Sequence, residues 1–416
     1  MHIILFEDSF VSRLFPATIG RPAFALNVGT YRLIDLLAHL GGEMEVIVRP
    51  NLANMIASDY PHLWHPDKGE RSDPILLLNA RAVPHASLID QISELVRQGH
   101  SGVVRTDDRI ACALFARQNP FPHTFVGCSQ MLGIVEDLDL PPLGITIPLL
   151  EYPHDLIRQQ LATMNDNLDF RLRSGEYREA TEVAAGVFLA NGCQAGPYCV
   201  FDATDGPIVI EKGAQIGPYC FFKGPIHVGP KTKIIEHSAI KDFVTLGAVS
   251  KVGGEVEASI IEPYSNKQHH GFLGHSYLGS WVNLGAGTCN SDLKNTYGEV
   301  VMDYGGKKVK TGMQFVGCFI GDYAKTAINT SIFTGKTIGA CSMAYGFVTT
   351  NVPSFVNYAR SFGQITETTV EVMIQAQARM FARRGVVQRQ CDIDLLRDIY
   401  EMTKHERHLA NEPLSL

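Results

Sequence analysis

From Ile210 onward every sixth residue is apolar: Ile210, Ile216, Phe222, Val228, Ile234, Ile240, Leu246 and Val252. With 45% of the chain apolar, eight such landings in one frame arise by chance roughly once in 600 trials. A second column agrees in phase. Four residues after each landing stand Ala214, Cys220, Ile226, Thr232, Ser238, Val244, Ser250 and Val256, all small or β-branched types that suit a tight corner on a pleated surface. Gly217, Gly229, Gly247 and Gly253 follow their landings directly, where a turn with positive φ is expected. The register returns at Leu278 and Leu284, and again at Ile320, Thr326, Ile332 and Ile338. A six-residue period is too short for helical repeats and matches the hexapeptide left-handed parallel β-helix, in which stacked coils bury a column of apolar side chains. A β-sandwich with accidental spacing is the rival, and agreement of two columns weighs against it.

The first 152 residues carry a different pattern. Short apolar runs (Ile3–Phe6, Val46–Val48, Ile75–Leu78, Val103–Val104) alternate with helical spacings such as Leu33, Leu36, Leu37, Leu40 and Leu88, Ile92, Leu95, which predicts an α/β domain with a largely parallel sheet. Residues 153–184 form a helical linker, opened by Pro153 and carried through Leu156, Leu161, Met164 and Leu168. The β-helix is expected over 185–360. A helical extension follows over 361–416, with Val370, Met373, Ile374, Met380 and Phe381 on one face and Leu395, Leu396, Ile399 and Tyr400 on another, to cover the end of the β-helix or pack on a neighbour.

Composition narrows the function class. A net charge of −7 without a block of Lys or Arg disfavours nucleic-acid and anionic-membrane partners. No apolar run approaches the ~18 residues of a membrane span. Nine cysteines without a CxxC pair read as free thiols in a reducing, cytoplasmic setting.

An α/β domain joined by a helix to hexapeptide repeats is the layout of sugar nucleotidyltransferases. The segment His269-His270-Gly271-Phe272-Leu273-Gly274, then Tyr277-Leu278-Gly279, Val282-Asn283-Leu284-Gly285-Ala286-Gly287-Thr288 and Cys289-Asn290 resembles the bifunctional GlmU family, N-acetylglucosamine-1-phosphate uridyltransferase/glucosamine-1-phosphate acetyltransferase. Ser265 to Gly274 and Asp292-Leu293-Lys294-Asn295 are similar to a divergent branch of it. The resemblance implies acyl transfer from acetyl-CoA to an amino-sugar phosphate. It places the general base on His269 and leaves His270 and His275 as polar loop residues, since a neutral imidazole can take the proton of the sugar amine. It puts Asn290 on the acceptor, with Lys267 and Lys294 as sugar-phosphate contacts. Ala286, Asp322, Ala340 and Arg360 fall along the coenzyme A groove. Glu257 stands where the family carries a lysine, Phe272 replaces a tyrosine and Asp322 a serine. A homotrimer is implied as well.

The N-terminal part departs further from the family. Arg13-Leu14-Phe15-Pro16-Ala17-Thr18 and Arg21-Pro22 keep the later half of the phosphate-loop motif, which implies Arg13 and Arg21 on the phosphates of a nucleoside triphosphate or sugar phosphate. Glu7 to Ser12 replaces the glycine loop. Ala23 stands where the catalytic lysine belongs, and Lys68 is the sole lysine of the first 150 residues. The strand Ile75–Leu78 ends in Asn79-Ala80-Arg81 in place of a metal-binding aspartate, which leaves the ligands of a possible Mg²⁺ unassigned, with Asp107 and Asp108 as replacements or simply as a turn. Three readings follow: a nucleotidyltransferase/acyltransferase; a single-activity enzyme with a degenerate N-terminal domain; and a non-catalytic sugar-nucleotide scaffold.

Overall fold

A computed structural model describes residues 1–63, 71, 73–116 and 127–411, so Lys68 lies outside the described residues. The chain divides into two units. The first comprises 1–14, 21–26 and 31–152; the second comprises 15–20, 27–30 and 153–416.

Five strands form the sheet of the first unit: β1 (His2–Phe6), β2 (Glu43–Ile47), β3 (Ile75–Asn79), β4 (Gly102–Thr106) and β5 (Arg109–Phe115), in the order β2-β1-β3-β5-β4. β1 runs parallel to both β2 and β3. β1 and β3 are buried along their whole length, hence their unbroken apolar runs. β5 is antiparallel to β3 and β4, so the sheet is mixed. The cause is local. Asp107 and Asp108, both with positive φ (49° and 61°), join β4 to β5 by a two-residue turn, and such a turn can connect only antiparallel strands. One face of the sheet packs Ile4, Phe6, Leu77 and Phe115 against Met131 and Val135 of the helix Gly127–Asp137.

In the second unit the helix His154–Ser174 lies along a β-solenoid, burying Met164 and Leu168 against Val209. Ile208, Ile226 and Val244 stack in register, so one coil takes eighteen residues, three hexads. This is the left-handed β-helix that the six-residue period predicts. Every residue of the two columns, Ile210 to Val252 and Ala214 to Val256, is buried.

The glycines after the landings serve another purpose than the one expected. Gly217, Gly229, Gly247 and Gly253 do not have positive φ. A Cβ on Gly247 would stand 2.4 Å from the backbone nitrogen of Pro263, and one on Gly253 would stand 2.1 Å from the carbonyl of Gln268. They are glycines because the next coil runs against them. The left-handed positions fall two residues later, at Tyr219, Lys231 and Val249 (φ 56° to 61°), or directly after Gly253 at Gly254 (φ 72°).

After Asn290 the chain leaves the coil, forms the hairpin Val301–Tyr304/Lys307–Lys310, and rejoins it where Phe319 and Ile320 stack on Tyr277 and Leu278. The helices Val370–Ala382 and Gln390–Met402 cover a flank of the solenoid rather than its end. The Phe381 ring packs on Trp281 with centroids 4.5 Å apart and planes tilted by 34°, and Arg384 Nη2 donates to Asn266 Oδ1 at 2.6 Å. Among the described residues no helix is long and apolar enough to cross a membrane.

Candidate functional site

Two clusters carry chemistry, one in each unit. In the solenoid, the excursion that begins after Asn290 brings Asp292 and Phe315 to the side chain of His275. His275 Nδ1 lies 2.9 Å from Asp292 Oδ2, and the Phe315 ring stacks on the imidazole at 5.2 Å. Both partners are mostly shielded, with side-chain exposures of 12% and 13%. A buried carboxylate on Nδ1 fixes the tautomer, leaving Nε2 as the acceptor. Asn290 clamps the preceding residue: its Oδ1 accepts from Gly274 N at 2.9 Å, and its Nδ2 donates to Gly274 O at 3.0 Å. Gly274 itself admits no side chain, because a Cβ there would stand 2.3 Å from Asp292 Oδ2. Asn290 thus fixes the backbone just before His275, and Asp292 and Phe315 fix the imidazole itself.

The other residues singled out from the sequence sit elsewhere in the second unit. His269 and His270 are exposed. Lys267 is 2% exposed, and its Nζ donates to the carbonyls of Gly253 and His269 at 2.6 and 3.2 Å; burial pushes its ammonium down to about 8. That charge is turned into the solenoid, away from any phosphate outside it. Lys294 Nζ donates to the Glu299 carbonyl. Asp322 and Ala340 are buried under the chain's own segments rather than lining an open groove. A Cβ on Gly20 would meet Asp322 Oδ2 at 2.8 Å and Ile399 of the last long helix at 3.6 Å, while Asp322 Oδ1 accepts from Ser280 N at 2.7 Å. Ala286 is half-buried, and Arg360 is exposed with Nη1 on Thr350 Oγ1 at 3.2 Å.

In the first unit, charged side chains converge at the carboxyl ends of β1 and β3, where open α/β sheets bind their ligands. Asp8 accepts from four donors: Phe10 N (3.0 Å), Arg81 Nε (2.9 Å), Arg81 Nη2 (2.7 Å) and Asn79 Nδ2 (2.8 Å). Burial alone would raise its carboxyl, yet the hydrogen bonds and charge of Arg81 hold it below the usual carboxylate range. Arg81 is fully buried and reaches Glu151 with Nη1 at 2.9 Å. Arg13 and Arg109 bind the same Glu151, and both guanidiniums lie over the Phe10 ring, at 4.4 and 3.9 Å. Arg21 is half-buried, and its carbonyl accepts from Arg49, which in turn grips Glu7.

The residues present do not suit a divalent cation. All four acceptor directions of Asp8 are taken, Glu151 carries three arginines, and Asp107 and Asp108 form the hairpin turn. Among the described residues no group of three or more His, Cys, Asp or Glu side chains is arranged to hold a metal ion.

Sequence reasoning missed the His275–Asp292 pair although the signal was present. Residues one coil apart stack, and 292 lies seventeen residues after 275, within one residue of a full coil. Stepping one coil from each histidine reaches Asp292 from His275 and Ala286 from His269.

Residues 3–175 match the family model for sugar nucleotidyl transferases. The bifunctional sugar-1-phosphate nucleotidylyltransferase/acetyltransferase of Sulfurisphaera tokodaii is 33% identical over 111 residues, covering 26% of this chain and 28% of that protein. The bifunctional protein GlmU of Legionella pneumophila (strain Corby) is 30% identical over 165 residues, covering 38% and 31%. The chain therefore spans about three tenths of the length of the curated relatives it matches. The UDP-N-acetylglucosamine acyltransferase of Francisella novicida aligns with 56% of this chain and 79% of its own, at 14% identity and a TM-score of 0.32. Over residues 3–175, about two fifths of its length, the chain is thus similar to the sugar nucleotidyl transferase family, and GlmU proteins are among the curated relatives it resembles.

Proposed function

We propose that this protein is a transferase of nucleotide-sugar metabolism whose β-solenoid moves an acyl group from an acyl-CoA, acetyl-CoA first, to the amine of an amino-sugar phosphate. The observation that carries this reading is the 2.9 Å contact between His275 and Asp292 beside the Asn290 clamp. His275 Nε2 takes a proton as the amine nitrogen attacks the thioester carbonyl. The carbon–sulfur bond then breaks, and the imidazolium returns its proton to the departing thiolate, leaving an amide and free coenzyme A. Asp292 stabilises the transient imidazolium.

His269, the base that the family resemblance implies, is the alternative. It is exposed, which would leave its orientation to the substrate alone. The direct test is thiol release from acetyl-CoA on addition of glucosamine 1-phosphate. Steady release is expected, with loss of about 10²–10⁴-fold in His275→Ala. No release with any amino-sugar phosphate would overturn the proposal.

A second reading gives the chain this one chemical activity, with the first unit binding a ligand without transferring a nucleotide. It is favoured by the saturation of Asp8 by Arg81 and Asn79. Failure to form pyrophosphate from UTP, sugar phosphate and Mg²⁺ would support it. A homotrimer belongs to the proposal too, and light scattering that finds only monomers would remove it.

A further inference from the structure

The first unit holds three guanidiniums around one carboxylate. Glu151 accepts from Arg81 Nη1 at 2.9 Å, from Arg13 Nη1 at 3.2 Å and from Arg109 Nη1. With Asp8 counted, three positive charges face two negative ones, so the cluster keeps an excess of one positive charge. The arginines differ in freedom. Arg81 is fully buried and locked by Asp8 and the Leu150 carbonyl, whereas the Arg13 and Arg109 side chains are 37% and 19% exposed and are steadied by the Phe10 ring. Glu151 is itself 22% exposed. Its carboxylate therefore sits at the edge of the basic cluster, partly in contact with water.

We propose that this cluster binds a phosphate or diphosphate ester without a divalent cation, and that Glu151 is the internal anion which the ligand displaces. The inference deepens the nucleotide-sugar reading of the first unit and disagrees with the metal chemistry its fold implies. Arg81 supplies, from a fixed position beside Asp8, positive charge that a cation would otherwise bring. Arg13 and Arg109 each offer parallel N–H donors, which match phosphate oxygens as they match a carboxylate. When the ligand enters, Glu151 rotates into solvent, and a dianion replaces a monoanion between the same guanidiniums. The balance favours the ligand because the cluster already lacks one negative charge.

The test is calorimetric titration of the full-length protein in EDTA with UDP, glucosamine 1-phosphate and inorganic pyrophosphate, each alone. At least one binds, and replacing EDTA by Mg²⁺ changes the UDP or sugar-phosphate affinity less than about threefold. Which probe binds tells a nucleotide source from a sugar-phosphate source. The double variant Arg13→Ala/Arg109→Ala weakens binding about tenfold or more. Glu151→Gln, which keeps the shape and removes the competing charge, tightens it. A purely structural Glu151 would instead leave affinity unchanged or reduce it. The proposal is overturned by binding that appears only with Mg²⁺, by affinity indifferent to the double variant, or by no binding to either wild type or Glu151→Gln. Because the readout is binding in the first unit, its failure leaves the His275 assay standing, and loss of acyl transfer leaves this one standing.

Discussion

Asn290 holds Gly274 from both sides, accepting from its N–H at 2.9 Å and donating to its carbonyl at 3.0 Å across adjacent coils. A side-chain amide here stands in for a ladder partner, at the coil where the chain departs into its excursion. The next residue is His275, so the clamp sets where the imidazole starts. Replacing Asn290 by Ala leaves the buried Gly274 N–H unpaired, while the Gly274 carbonyl keeps the Ser276 hydroxyl at 2.7 Å, at about 1–3 kcal/mol in stability. Acyl transfer should fall by about tenfold or more, mainly in kcat, with KM for acetyl-CoA changed less than about threefold. Equal loss in both parameters would show that Asn290 binds the donor rather than positions the base.

Gly247 tests the packing of the coils. A Cβ there would stand 2.4 Å from the Pro263 backbone nitrogen, and backbone yields less than a side chain. Gly247→Ala should cost about 1–3 kcal/mol in chemical denaturation. Gly213→Ala, at φ +71° but with a Cβ that would meet only Lys231 Cγ at 3.6 Å, should cost less than Gly247→Ala. The reverse order would show that backbone conformation, not contact between coils, selects these glycines.

Much of this architecture was legible in the chain. The two hexapeptide columns are buried residue by residue, because a solenoid repeats one environment and writes it into the sequence at a fixed period. The glycines were placed correctly but for the wrong cause, since spacing alone does not separate a left-handed turn from a close approach. The antiparallel β4–β5 pair hinged on two aspartates adopting positive φ, and the alternation of apolar runs does not report strand direction. The sites were harder. Asp8 and Arg81 are 73 residues apart, and nothing in either neighbourhood announces that the guanidinium will be buried on that carboxylate. Lys267 looked like a surface charge because its inward turn depends on two backbone carbonyls meeting it.

Acid should weaken the seam between the linker helix and the solenoid. Glu211 accepts from His227 Nε2 at 2.7 Å and from the Tyr177 hydroxyl at 3.1 Å, near Arg171. Burial opposes its ionisation, but His227 and Arg171 pull its carboxyl down to about 2 from an ordinary value of 4.5. A depressed carboxylate contributes stability above its unfolded value and loses it as pH falls through the folded one. Denaturation midpoints should therefore drop between about pH 4.5 and 2, and Glu211→Gln should flatten that limb. An unchanged slope in the variant would assign acid sensitivity to other groups.

The C-terminal helices should be integral to the solenoid flank. Phe381 is 4% exposed and packs its ring, tilted, against Trp281. Phe381→Ala should cost about 3 kcal/mol and, in a Trp64→Phe background, shift Trp281 emission to the red. Emission that does not move would mean that the helix leaves Trp281 covered without this contact.

The central claim is that the imidazole held by Asp292 does the acid–base work. Rates of thiol release from acetyl-CoA should be compared for His275→Ala and His269→Ala at saturating glucosamine 1-phosphate. The account predicts a loss of about 10²–10⁴-fold for His275→Ala and less than about threefold for His269→Ala. Full activity in His275→Ala, with the loss falling on His269→Ala, would contradict it.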